Sequence, residues 1–233
     1  MANSDNKRVE EFKIPLSEKA QVYQISYSPD GNRILYSLSD IKAYPILTSY
    51  FYDLRKKEEI QLGPPNANCS YPKWSPNGRE ILLYCNLSTD ASIENSHVYI
   101  LDFIGNDPIV INEIVDLPCG EQLTWAPGNN FAWAPDGKHF VATSCKFSND
   151  PGSLFIFNSD GSIDKGFSPL GTLDTPAYIT EVAWSPDGQQ IIYIAGKDKD
   201  SLNIYVMNVD GSNNHTVTMQ ASNYSELSVY PIE

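Results

Sequence analysis

Positive charge is scarce in this chain of 233 residues: 16 Lys and Arg stand against 29 Asp and Glu, for a formal net charge of −13. Such a surface repels phosphate backbones and anionic lipid, so nucleic acid and membrane surfaces are not expected partners. No apolar run approaches the 18 residues that a membrane-spanning helix needs. Residues 1–8 are polar and lack the apolar core of an export signal, so a cytoplasmic location is expected if Met1 is the natural start. The three histidines, His97, His139 and His215, fall at unrelated places along the chain, and no metal cluster is expected from them. There is no Cys-x-x-Cys pair among Cys69, Cys85, Cys119 and Cys145, and free buried thiols are the expectation for all four. A G-x-S-x-G nucleophile elbow, a phosphate-binding glycine loop and a dinucleotide fingerprint are also missing, so no catalytic and no cofactor-binding residue is assigned. Helical periodicity never runs for ten residues.

What the chain does have is aromatic and β-branched residues in short runs, with 14 Tyr and 12% aromatics, a composition that suits strands. One phrase occurs four times: Tyr27-Ser28-Pro29-Asp30-Gly31, Trp74-Ser75-Pro76-Asn77-Gly78, Trp133-Ala134-Pro135-Asp136-Gly137 and Trp184-Ser185-Pro186-Asp187-Gly188. Pro presets the second position of a type I turn, Asp or Asn suits the third, and Gly takes the left-handed position that follows. Each phrase therefore predicts a hairpin. The glycines lie 47, 59 and 51 residues apart, a period that fits one four-stranded propeller blade per repeat. After each Gly comes a strand apolar on both faces, centred on Ile34, Ile81, Phe140 or Ile191, as expected for a strand covered on both sides.

A third strand recurs as Tyr50-Phe51-Tyr52, Val98-Tyr99-Ile100, Leu154-Phe155-Ile156 and Ile204-Tyr205-Val206, each closing on Asp or Asn. Asp160-Gly161 and Asp210-Gly211 are favoured hairpin turns after it. A more polar fourth strand is expected at 59–62, 109–114, 167–170 and 216–219, where an outer edge meets water. Two irregularities stand out. The third repeat carries a doubled phrase, Trp125-Ala126-Pro127-Gly128, and the first has a longer loop at 40–48.

The stretch from Trp184 to Thr218, WSPDGQQIIYIAGKDKDSLNIYVMNVDGSNNHTVT, resembles a repeat of the TolB-like, WD40-like β-propeller family. The other repeats depart from it through Asn77, Ala134 and Tyr27. The resemblance covers roughly 20–231 and implies an all-β propeller of four-stranded antiparallel blades. Blades are expected at about 20–62, 67–114, 120–170 and 178–219, after a polar tail at 1–8. The family's closed rings have six or more blades, so four repeats with partial ones at 9–16 and 224–233 point to an incomplete or truncated ring, open to self-association through its end blades; the alternative is a compact ring of four or five blades closed by the two terminal strands. For a longer parent the resemblance leaves a periplasmic or extracellular location open.

Candidate sites are few. Asp198-Lys199-Asp200 with Asn203, and Asn208 with Asp210, invite a calcium reading. Solvated hairpin loops are the expectation, because six to eight oxygens in a fixed order are not present. Tyr27, Trp74, Trp133 and Trp184 could stack a ligand, but packing between blades is the expected role. Asn68-Cys69-Ser70, Asn86-Leu87-Ser88, Asn214-His215-Thr216 and Asn223-Tyr224-Ser225 match the glycosylation pattern and read as chance matches. The leading functional expectation is a non-enzymatic interaction module for a protein or peptide. The alternatives are the propeller portion of a larger prolyl-oligopeptidase-like hydrolase, and an enzyme acting on a small molecule or sugar in the channel.

Overall fold

The computed structural model describes residues 20–40, 47–87, 96–104, 107–114, 131–144, 153–167, 178–196 and 201–218. Outside them lie residues 9–16 and 224–233, the doubled phrase at Trp125, Cys119, Cys145, Asn223 and Asp198-Lys199-Asp200. The described residues are all strand and turn, in four antiparallel sheets of four strands. The first sheet runs β1 (Ala20–Tyr27), β2 (Arg33–Asp40), β3 (Thr48–Asp53), β4 (Glu58–Gln61). The second runs β5 (Asn68–Trp74), β6 (Glu80–Asn86), β7 (Ser96–Ile104), β8 (Asp107–Ile114). The third is β9 (Phe131–Trp133), β10 (His139–Ser144), β11 (Ser153–Asn158), β12 (Ile163–Phe167). The fourth is β13 (Tyr178–Trp184), β14 (Gln190–Gly196), β15 (Asn203–Asn208), β16 (His215–Thr216). Each sheet is one blade, its strands in sequence order.

The recurring phrase forms the hairpin between the first two strands of every blade. Gly31, Gly78, Gly137 and Gly188 donate to the carbonyl three residues back at 2.8–3.0 Å. Their φ values of +65° to +71° are those that glycine adopts without strain. In three blades the turn serine adds a second layer of bonds. Ser28, Ser75 and Ser185 donate to Asp30, Asn77 and Asp187, and accept from the backbone N–H of Arg33, Glu80 and Gln190. Ala134 cannot do this. There the ring of His139 bonds Asp136 at 2.7 Å, and His139 N–H donates to the same carboxylate.

Burial on both faces of the second strand has a direct cause. Ile81 and Leu83 of β6 pack with Leu35, Phe51 and Leu62 of the first blade. Leu82, between them, joins Phe140 and Ala142 of the third blade. Val141 in turn joins Ile191 and Tyr193 of the fourth. Alternate residues of one strand thus fill successive interfaces, each contributing about 1.5–3 kcal/mol when fully buried. Neighbouring contacts run β2 and β3 on β5, β5 on β9, and β9 and β10 on β13. In the last three blades first strands touch first strands, which places them on the inner side of the array.

Four expectations need correction. The fourth strand of the third blade is Ile163–Phe167, not 167–170, because it starts directly after the tight Asp160-Gly161 turn. In the last blade it is the short His215–Thr216 rather than 216–219. Tyr27 is 57% exposed, whereas Trp133 and Trp184 at the same position are 9% and 8% exposed. Among the described residues no blade precedes the first, so Tyr27 has none to pack against. Cys69 and Cys85 are not free thiols: they sit directly opposite one another on β5 and β6 and form a disulfide.

That disulfide rests on Gly63, in the connection from the first blade. Gly63 has φ +93°, and a Cβ there would come within 2.3 Å of Cys69 Sγ and 3.0 Å of Cys85 Sγ. Gly63→Ala therefore meets both backbone strain and a hard clash. It is expected to lower the urea midpoint more than any exposed substitution, while Gly31→Ala, with nothing within 4 Å, meets the backbone strain alone.

Candidate functional site

Two places on this scaffold gather polar chemistry. One is the rim formed by the hairpin turns. Successive turns lean on each other there: a Cβ on Gly78 would sit 3.2 Å from Pro29, and one on Gly188 3.7 Å from Pro135. Between the third and fourth blades the rim opens into a cleft of about 280 Å³. Its floor is apolar, made by Ala134, Ile156, Trp184 and Val209, and its lip carries Asp136, His139, Asp164, Lys165, Asp187 and Gln189. Lys165 pairs with its neighbour Asp164 at 3.8 Å, so the lip keeps a net negative character.

Two of the lip carboxylates, Asp136 and Asp187, are held ionised by their turns. Ser185 and the N–H of Gln189 hold Asp187 below the usual carboxylate range. Burial works against the charge of Asp136, but bonds from Lys138 N–H and His139 overcome it and lower its pKa. The same turn chemistry at Asp30, led by Asn32 and then Ser28, brings its carboxyl down to about 2. Ser162 and Ser212 lower Asp160 and Asp210 likewise. A carboxyl whose folded pKa lies below its unfolded value near 3.9 contributes fully above that value and loses its contribution as pH falls through the folded pKa. Stability measured by urea unfolding is therefore expected to drop between about pH 4 and pH 2. Asp30→Asn is expected to flatten part of that drop.

The second place is the axial side of the first strands. Three of these strands carry a β-bulge: between Val22 and Gln24, between Ser70 and Lys73, and between Ile179 and Glu181. Lys73 reaches from β5 to donate to Phe131 O at 2.8 Å, with its ammonium 5.2 Å from the Phe131 ring centre. Burial lowers its pKa to about 8, against the opposing pull of Glu181.

The recurring aromatics are joints between blades. The indole N–H of Trp184 donates to Ala132 O at 3.0 Å, and that of Trp133 to Lys73 O at 3.2 Å. In both cases the acceptor is the residue just before the preceding blade's tryptophan. Trp74 breaks the series. Its ring stacks on Phe103 at 5.6 Å, and Arg33 of the first blade lies over the same Phe103 at 4.7 Å. A cation–π contact stands where the other joints have a hydrogen bond. Of the remaining candidate residues within the described segments, Asp210 and Asn208 are occupied by Ser212, and Asn214 accepts from Tyr193 at 2.7 Å. His97, His139 and His215 lie apart, in β7, β10 and β16. Sequence reasoning missed the axial bulges, since a single displaced residue leaves no mark in a strand's apolar pattern.

No protein-family model matches the chain, and no curated relative matches it. Solved structures do. TolB from Acinetobacter baumannii is 16% identical with a TM-score of 0.56, over 88% of this chain and 45% of its own. The β-propeller domain of the Trilobed protease from Pyrococcus furiosus, described as having an open velcro topology, is 14% identical with a TM-score of 0.54, over 90% and 60%. The acylaminoacyl peptidase of Pyrococcus horikoshii is 13% identical with a TM-score of 0.54, over 89% and 34%. The chain thus spans about half of the TolB chain and a third of the peptidase. At these identities the likeness is one of fold, and the fold of the described residues is a TolB-like β-propeller of four blades.

Proposed function

We propose that the chain is a non-enzymatic interaction module that takes a protein or peptide segment in the rim cleft between the third and fourth blades. The observation that carries this reading is the cleft itself: an apolar floor for a side chain, with Asp136 and Asp187 on its rim held ionised by the turns. A mostly apolar concavity with a few fixed polar groups is the usual form of a binding site. The rigid blades position its lip without further ordering, which keeps the entropic cost of binding low. Asp164→Lys with Gln189→Lys reverses the lip's charge and leaves the backbone bond from Gln189 to Asp187 in place. A partner cross-linked to the wild-type chain in its source cells is expected to be lost from this variant. Recovery of the same proteins by both would sink the reading.

The second reading, the propeller portion of a larger hydrolase, is favoured by the share of the acylaminoacyl peptidase that the chain covers, 34%. A parent gene that continues past Glu233 into a hydrolase domain would support it, and a stop codon there would oppose it.

A further inference from the structure

Each blade has two faces, and the pairing of its two middle strands marks them. One pair of opposed residues faces the preceding blade: Ile81 with Leu101 in the second blade, Phe140 with Phe157 in the third, Ile191 with Met207 in the fourth. The adjacent pair faces the following blade: Leu35 with Phe51 in the first, Leu82 with Ile100 in the second, Val141 with Ile156 in the third. All of these residues lie in the three clusters that join neighbouring blades. Two pairs are left over. Ile34 with Tyr52, on the leading face of the first blade, sits in a cluster whose described members, Tyr36, Leu38, Tyr50 and Leu54 among them, all belong to that blade. Ile192 with Val206, on the trailing face of the fourth blade, joins none of the clusters among the described residues, and both are only half-buried. The leading face also stays apolar along β1. Ile25 and Tyr27, opposite Tyr36 and Ile34, are 58% and 57% exposed, and Val22, opposite Leu38, is 42% exposed. Scattered exposed apolar residues are ordinary, but a row of them along one strand face marks an interaction surface.

We propose that the leading face of the first blade docks on the trailing face of the fourth blade of a second copy, and that two copies close head to tail into one ring of eight blades. The contact repeats a joint that the chain makes three times within itself. Ile34 takes the place of Ile81 and Ile191, Ile192 with Val206 takes the place of Val141 with Ile156, and Tyr27 takes the place of the buried tryptophans. Such a joint is heterologous, so it ends only by closing. Two copies close it twice, and the second contact forms inside the complex at high effective concentration. Eight blades lie within the range of closed propellers. A second copy presents a face four strands wide, whereas the partial repeats expected at 9–16 and 224–233, outside the described residues, have the length of one strand each. The net charge of −13 on each copy opposes the contact, and salt screens that repulsion. In dilute solution the chain is the monomer described above, with Tyr27 open to water. The contact does not involve the rim cleft, so either can fail alone.

Sedimentation velocity of the full chain from about 1 to 200 µM tests this, since that range spans a micromolar dissociation constant. The mass is expected to rise from one chain to two and stop there, and to do so at lower concentration as salt is raised. Tyr27→Ala is expected to weaken the pair about tenfold, as truncating a central interface tyrosine does. This side chain is solvent-facing in the monomer, so the variant keeps the test decisive even where a harsher one loses its fold. Ile25→Asp with Tyr27→Asp spoils one face, and Val206→Asp spoils the other. Each is expected to stay monomeric with the circular dichroism of the wild type, and an equal mixture of the two is expected to pair through the one joint left intact. A mass of one chain throughout, as a segment of the same chain lying on that face would give, would overturn the proposal. So would growth beyond two copies, an unaffected Tyr27→Ala, pairing that weakens as salt rises, or two folded variants that do not pair when mixed. Full pairing of Val206→Asp alone would also overturn it, because first blades would then meet face to face.

Discussion

Trp184→Ala is expected to cost about 3–5 kcal/mol, the range for truncating a large buried aromatic. The ring is 8% exposed and lies in the cluster that joins the third and fourth blades, among Val141, Leu154, Ile156, Tyr193 and Met207. Its loss empties the centre of one interface and leaves Ala132 O without its donor. Trp184→Phe separates the two effects. It keeps much of the apolar volume and removes the hydrogen bond, so a loss of about 1 kcal/mol from the bond is expected, plus a smaller packing term. Tyr27→Ala is the internal control. The same repeat position is solvent-facing there, and a change within about 0.5 kcal/mol is expected. Urea unfolding of the three variants measures all of this. Similar losses for Tyr27→Ala and Trp184→Ala would mean that the phrase aromatic acts inside its own blade rather than between blades.

The second large effect concerns Cys69 and Cys85. The bridge spans 16 residues and crosses the first two strands of the second blade, on the face packed against the first. Closing a loop of that size stabilises by about 3 kcal/mol through the entropy of the unfolded chain. Cys69→Ala with Cys85→Ala is expected to lose about that amount, and dithiothreitol should lower the wild-type urea midpoint but not that of the double variant. Mass spectrometry of a non-reduced digest should find the two peptides joined. If both cysteines alkylate freely in the native, unreduced protein, the bridge is absent and this prediction fails. Ser49 gives a local reason for its placement: its hydroxyl donates to Cys69 O at 2.9 Å and bonds Ser37, tying the bridge to the first blade.

Much of this fold is legible in the sequence because each blade repeats its own punctuation. The Pro-Asp-Gly turns, the doubly apolar second strand and the Asp-Gly hairpins each have a local cause, and all appear where that cause acts. The errors have non-local causes. Exposure of Tyr27 depends on which blade precedes it, which the residue itself does not encode. The disulfide depends on register: Cys69 and Cys85 meet only because a bulge between Ser70 and Lys73 shifts the pairing of β5 with β6. Position alone marks both cysteines as equivalents of Cys119 and Cys145, without indicating that the two strand neighbours face each other. The candidate sites are less legible still. The rim cleft is assembled from turns about 50 residues apart.

The central claim is that four blades are joined in sequence, with the indole N–H of Trp133 and Trp184 bonded to the preceding blade. Hydrogen exchange of the indole N–H signals, assigned by single Trp→Phe variants, tests it most directly. Slow exchange is predicted for the Trp133 and Trp184 indoles, and for both to become fast together with the backbone amides of β10 and β14 only as the chain unfolds. Exchange of both at the rate of a free indole in the folded protein would contradict the joint, and with it the propeller arrangement built on it.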